Sequence, residues 1–134
     1  NAKKKNDNKI NVWGDGEQTR SFLYIDDCLK GTLDVFNSDS SEVYNIGSDE
    51  QVSINQMIQI IEEIADFNVK KNYQLDKPKG VRGRSSDNSY ITKKIGWKSE
   101  HSLKQGLTKT YNWIEQQINS GSNIDKFCRG SIEE

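Results

Sequence analysis

The chain is short of the residues that most often carry catalysis or cross-linking. Among 134 residues there is one histidine, His101, one methionine, one proline, Pro78, and two cysteines, Cys28 and Cys128. A lone histidine argues against metal chemistry, and two cysteines a hundred residues apart match neither a disulfide framework nor a metal-ligand spacing. No apolar run approaches the ~18 residues of a membrane span. After Lys3-Lys4-Lys5 the chain stays polar, so the pattern of a secretory leader is missing. Net charge is -1, from 19 basic and 20 acidic residues. There is no overall basic field to draw in nucleic acid. These absences make a cytoplasmic protein with neither membrane nor nucleic-acid partner the expectation. Apolar residues are also scarce, at 32%, with 29% charged and a mean hydropathy of -0.90. A core of this length is then thin, as expected if some apolar faces are meant for a segment that is not here.

What is present alternates between strand and helix patterns. Residues 1–9 read as a disordered lead-in, 10–120 as one ordered domain and 121–134 as a flexible tail. Ile10–Trp13 alternates as a strand does and is broken by Gly14-Asp-Gly16. Ser21–Ile25 reads as extended, and Asp26 or Asp27 as the cap of a helix carrying Leu29, Leu33 and Phe36. Val43–Ile46 reads as a buried strand. Ser53 and Gln56 form a capping box before Ile54, Met57, Ile58, Ile61 and Ala65. Residues 69–75 read as a strand, and Asp87 or Asn88 as the cap of a short helix stopped near Gly96. Ser102 and Gln105 form a second capping box before Leu103, Leu107, Tyr111, Ile114 and Ile118. Strands interleaved with helices imply an α/β fold, with too few strands for a complete doubly wound sheet.

Two segments can grip an anion: Gly14–Arg20 and the loop Lys77-Pro-Lys-Gly-Val-Arg-Gly-Arg84. Arginine keeps its charge when desolvated and presents paired donors, which suits a diphosphate. Arg20 is one candidate, against the alternative of pairing with Asp26 or Asp27. Arg82 and Arg84 are rivals within their loop, and local spacing does not separate them. A basic nucleic-acid loop is disfavoured because no aromatics interleave the charges. Gly14-Asp-Gly-Glu-Gln-Thr19 is no dinucleotide loop, since Thr19 stands where the third glycine belongs and no helix opens there. Tyr73-Gln-Leu-Asp-Lys77 has the spacing of a Tyr/Lys catalytic pair, but an extended segment running into Pro78 does not put both on one helix face. Cys28, Trp13, Trp97 and Trp113 read as packing residues, with base stacking a lesser alternative for Trp13. His101 reads as a surface residue.

Trp13-Gly-Asp-Gly-Glu-Gln-Thr-Arg-Ser-Phe-Leu-Tyr-Ile-Asp-Asp27, Val43-Tyr-Asn-Ile-Gly-Ser48, Gly80-Val-Arg-Gly-Arg-Ser-Ser-Asp-Asn88 and Ile95-Gly-Trp97 together resemble the extended short-chain dehydrogenase/reductase family of NAD-dependent sugar-nucleotide epimerases and dehydratases. Within it they look most like the branch of GDP-mannose epimerases. The resemblance covers residues 10 to about 118. It implies the C-terminal, substrate-binding part of a Rossmann-type fold with an incomplete sheet. Gln18, Thr19 and Arg20 would contact the nucleotide-sugar, and Arg84, rather than Arg82, would grip its pyrophosphate. In that family the sugar is oxidised at C4 with NAD, which acidifies the C3 and C5 protons for a Cys/Lys pair. The resemblance places the NAD loop and that pair upstream, so it assigns no catalytic, cofactor-binding or metal residue here. It implies that this chain alone is inactive and that the complete enzyme is a homodimer. The competing reading is a stand-alone, non-catalytic module for nucleotide-sugars or other phosphorylated ligands.

Overall fold

In the computed structural model, residues 8–121 are described. The lead-in over 1–7 and the tail beyond 121 lie outside them, whereas Lys9, expected in the lead-in, opens the first strand. In chain order the elements are β1 (Lys9–Trp13), β2 (Thr19–Ser21), α1 (Ile25–Phe36), β3 (Gln51–Ser53), α2 (Ile54–Ala65), β4 (Lys70–Gln74), β5 (Gly83–Arg84), α3 (Ser89–Ile95) and α4 (Leu103–Asn119). They form two small sheets. β1 and β4 pair in parallel, from Lys9 opposite Lys70 to Trp13 opposite Gln74. β2 lies between β3, antiparallel, and β5, parallel.

Both capping boxes form as expected. Ser53 Oγ accepts from the Gln56 N–H and Ser102 Oγ from the Gln105 N–H, while each glutamine side chain accepts from its cap's N–H. Two orphan donors at each helix start are thereby satisfied. α3 stops at Gly96. Asn88 stands at its N-cap position, but its side chain bonds Ser86 and the Gly47 carbonyl and does not cap the helix, and Asp87 Oδ1 takes the Ser89 N–H at 2.9 Å. That bond, with one from the Ser89 hydroxyl first in weight, holds the Asp87 carboxyl below its ordinary range.

Several expectations are corrected. Neither Asp26 nor Asp27 caps α1, whose N-cap position is Tyr24. Asp27 is instead buried one turn in and accepts from the His101 N–H at 3.0 Å and from His101 Nδ1 at 2.8 Å. His101 is thus no plain surface residue. Its ring links α1 to the start of α4, and Lys109 Nζ lies 2.9 Å from its Nε2. Burial alone would push the Asp27 carboxyl up, but the bonds from His101 outweigh it and hold the group below its ordinary range. Val43–Ile46 is not a strand: it pairs with no described strand, and Val43 is 91% exposed. Its β-prone side chains have no ladder partner to fix them, and Tyr44 bonds Ser40 and Glu42 instead. The strand expected over Ser21–Ile25 keeps only Ser21, because the helix begins at Ile25.

The core is as thin as the composition implies. Its buried apolar side chains are Val12, Ile58, Ala65, Ile91, Trp97 and Leu103. Trp97 is the packing residue expected. Trp13 and Trp113 are not buried, at 55% and 52% exposed, and Cys28 is only half-buried. α1 turns its Gly31 inward, where an added Cβ would meet Trp97 Cε2 and Nε1 at 2.8 Å. Its apolar stripe of Ile25, Leu29, Leu33 and Phe36 faces outward, with Phe36 82% exposed. No described helix is long and apolar enough to cross a membrane.

Candidate functional site

The turn between β1 and β2 is built around glycine. Gly14 and Gly16 have φ of 79° and 75°, where a side chain is disfavoured. Gly14 continues the β1–β4 ladder, its N–H donating to Gln74 O at 2.8 Å. Gly16 leaves room for Asn55, since a Cβ there would collide with the Asn55 amide. The chain then enters β2 directly. No helix opens after this turn, so it does not present the helix N-terminus on which a dinucleotide pyrophosphate rests. It is the turn between extended segments that its sequence implies.

Beyond the turn, Gln18 Nε2 donates to Trp13 O at 2.9 Å. Its Oε1 is buried, with no hydrogen-bond donor among the described residues. The Thr19 N–H donates to Arg82 O at 2.9 Å, which ties β2 to the basic loop. Arg20 Nη1 donates to Thr19 O at 2.6 Å and to Val81 O at 2.8 Å. The alternative pairing of Arg20 with Asp26 or Asp27 does not form. Asp27 is committed to His101, and none of Arg20, Arg82 and Arg84 stands in an ion pair among the described residues.

The sheet sets Arg20 opposite Arg84 in parallel register, and Thr19 opposite Gly83. Residues opposite each other in a sheet project to the same face, so two arginines far apart in sequence become neighbours. Beside them is a cleft of about 340 Å³ lined by Asp15, Glu17, Gln18, Lys79, Gly80 and Arg82. Gln18, Thr19, Arg20 and Arg84 are thus gathered into one region. Of the rival arginines, Arg82 lines the cleft and Arg84 lies beside Arg20 on the neighbouring strand. Lys79 Nζ holds Asp15 Oδ2 at 2.9 Å, and that hydrogen bond chiefly keeps the Asp15 carboxyl below its ordinary range. Tyr73 and Lys77 share no helix. Tyr73 is in β4 and its hydroxyl donates to Asn55 Oδ1 at 2.9 Å.

Sequence reasoning did not single out Asn55. Its one local signal is an amide residue in the first turn of α2 that the capping box does not use. Its contacts come from residues 18 to 40 positions away.

The profile of the GDP-mannose 4,6 dehydratase family matches residues 1–110. GDP-mannose 3,5-epimerase 1 of rice (Oryza sativa subsp. indica) is 48% identical over 110 residues, which are 82% of this chain and 29% of the rice protein. GDP-mannose 3,5-epimerase of Arabidopsis thaliana is 47% identical over 130 residues, covering 92% of this chain and 34% of its relative. The chain therefore spans about a third of the length of these curated relatives. Among solved structures, the UDP-glucuronic acid 4-epimerase of Bacillus cereus, in complex with UDP-glucuronic acid and NAD, superposes with a TM-score of 0.74 at 34% identity. It is matched over 81% of this chain and 35% of its own. The UDP-glucose 4-epimerase of Thermotoga maritima, with UDP-glucose, gives a TM-score of 0.77 at 29% identity over 82% of this chain and 36% of its own. The chain belongs to the extended short-chain dehydrogenase/reductase family of NAD-dependent sugar-nucleotide epimerases and dehydratases.

Proposed function

We propose that this chain supplies the nucleotide-sugar grip of an NAD-dependent epimerase of the GDP-mannose 3,5-epimerase kind. Gln18, Thr19 and Arg20 contact the substrate, and Arg84 holds its pyrophosphate. The observation that carries this reading is the β2–β5 register, which sets Arg20 beside Arg84 with no carboxylate paired to either among the described residues. The Arg20 guanidinium rests on the Thr19 and Val81 carbonyls and keeps its full charge, as does Arg84 on the neighbouring strand, and a diphosphate has the charge and the spread of oxygens to take donors from both.

The chemistry that NAD supplies when bound is reversible hydride acceptance at the sugar. The Gly14–Gly16 turn does not suit a dinucleotide, so NAD is assigned to protein outside this chain, and no proton or hydride step is assigned to these residues. On this reading the chain binds substrate and does not turn it over alone.

The test is titration calorimetry with GDP-mannose on the chain and on its Arg20→Ala, Arg82→Ala and Arg84→Ala variants. Loss of Arg20 or Arg84 is expected to weaken binding roughly 10- to 100-fold, the scale of a charge-assisted hydrogen bond. Loss of Arg82 is expected to matter less. An Arg84→Ala variant with parental affinity, beside a crippled Arg82→Ala, would transfer the pyrophosphate role to Arg82.

A further inference from the structure

We infer that Asn55 is a positioning residue for the substrate grip and that Tyr73 holds it, an inference that rests on the function proposed above. The start of a helix normally leaves N–H groups pointing outward, free for an anion. At the start of α2 they are already engaged with the turn. The Ile54 N–H donates to Gln18 O at 3.2 Å and the Asn55 N–H to Gly16 O at 3.0 Å. The Asn55 side chain extends the same hold. Its Nδ2 donates to Asp15 O at 3.1 Å and to Glu17 Oε1 at 2.6 Å. The Tyr73 hydroxyl, from β4 in the other sheet, donates to Asn55 Oδ1 at 2.9 Å. The Asp15 carbonyl and the Glu17 carboxylate can only accept, so they fix Nδ2 toward the turn and leave Oδ1 to take the Tyr73 hydroxyl proton, which holds the amide from its far end.

The consequence falls on the residues that follow. Asn55 grips the backbone at 15 and 16 and the side chain at 17, immediately before Gln18, Thr19 and Arg20. Gly16 is required because the amide occupies the space its side chain would take. On the far side, the stem of Lys79 passes Gly14, and its ammonium holds the Asp15 carboxylate. The turn is therefore clamped between α2 and the basic loop, and the direction in which β2 leaves it sets where Gln18 and Arg20 meet a ligand. Preorganisation of this kind appears as affinity, because binding no longer has to order the turn.

The test uses three variants of the chain: Tyr73→Phe, Asn55→Asp, and Asn55→Asp combined with Glu17→Gln. Asn55→Asp keeps the shape and the acceptor for Tyr73 but turns an oxygen toward Glu17. The added Glu17→Gln restores a donor across that contact. Each variant is titrated with GDP-mannose, melted, and followed without ligand by amide hydrogen exchange over residues 15–20.

Asn55→Asp sets an oxygen against both Asp15 O and Glu17 Oε1 and is expected to bind at least about 10-fold more weakly. Exchange in the turn should be faster, with the melting midpoint close to the parent's. Tyr73→Phe should show a smaller loss of the same kind, and the double variant should recover part of the affinity, since Glu17→Gln relieves the contact at residue 17 and not the one with Asp15 O. Unchanged exchange in Asn55→Asp would overturn the clamp, whatever the ligand does. Faster exchange with parental affinity would overturn the positioning role and leave the proposed function intact. A parent chain whose turn is clamped but which binds no GDP-mannose would overturn the proposed function, and the positioning role with it. Failure of the function and failure of the clamp are thus read on different instruments.

Discussion

At the scale of single residues, the two polar groups that most constrain the chain are Asp27 and Asn55, and neither is exposed decoration. Asp27 is buried at 3% exposure yet favours its charged form, because His101 donates to both of its oxygens. A carboxyl whose folded pKa is depressed adds stability that is present above its unfolded value, near 3.9, and is lost as pH falls through the folded value. Asp27→Asn is therefore expected to lower stability at neutral pH by about 2 kcal/mol, the scale of a hydrogen bond to a charged group. It should also flatten the acid limb of the stability curve below about pH 4. Denaturant unfolding across pH checks this, and an acid limb as steep as the parent's would contradict it. The turn and Arg20 as an anion candidate could be read from the glycines and the arginine themselves, whereas Gln18 and Thr19 entered only through the family resemblance. His101 and Asn55 were not, since the chemistry of each is decided by a partner more than thirty residues away.

At the scale of elements, the helices whose ends carry both halves of a capping box, α2 and α4, formed where their sequences placed them. Their signals are local and self-sufficient. The segment Val43–Ile46 failed as a strand for the complementary reason: β-propensity has effect only with a neighbour to pair with. α1 lies between these cases. Its period was legible, but not which face it buries. It turns Gly31 toward Trp97 and leaves its leucines exposed. Gly31→Ala should therefore destabilise the chain, although alanine is the better helix former, because a methyl group there meets the buried indole at 2.8 Å. The expected cost is about 1–3 kcal/mol, the range for overpacking a filled core. A thermal melt measures it, and a midpoint at or above the parent's would show that Trp97 can give way at little cost.

At the scale of the whole molecule, a thin core goes with an exposed apolar stripe on α1. The low apolar content made the thin core legible beforehand. Which surface would be left uncovered was not, because that depends on how the elements pack, and a periodic stripe does not name the element that covers it. A contiguous stripe of Ile25, Leu29, Leu33 and Phe36 favours association. Light scattering should show the isolated chain associating as concentration rises, and Leu29→Lys with Leu33→Lys should suppress it. A clean monomer at high concentration would contradict this. The central claim is that the grip on the nucleotide-sugar is already assembled in this chain, apart from NAD. Calorimetric titration of the chain with GDP-mannose, against GDP, UDP-glucose and NAD, tests it most directly. The account predicts binding of GDP-mannose, no binding of NAD, and loss of the signal in Arg20→Ala. No nucleotide-sugar binding by a chain that melts cooperatively would contradict it.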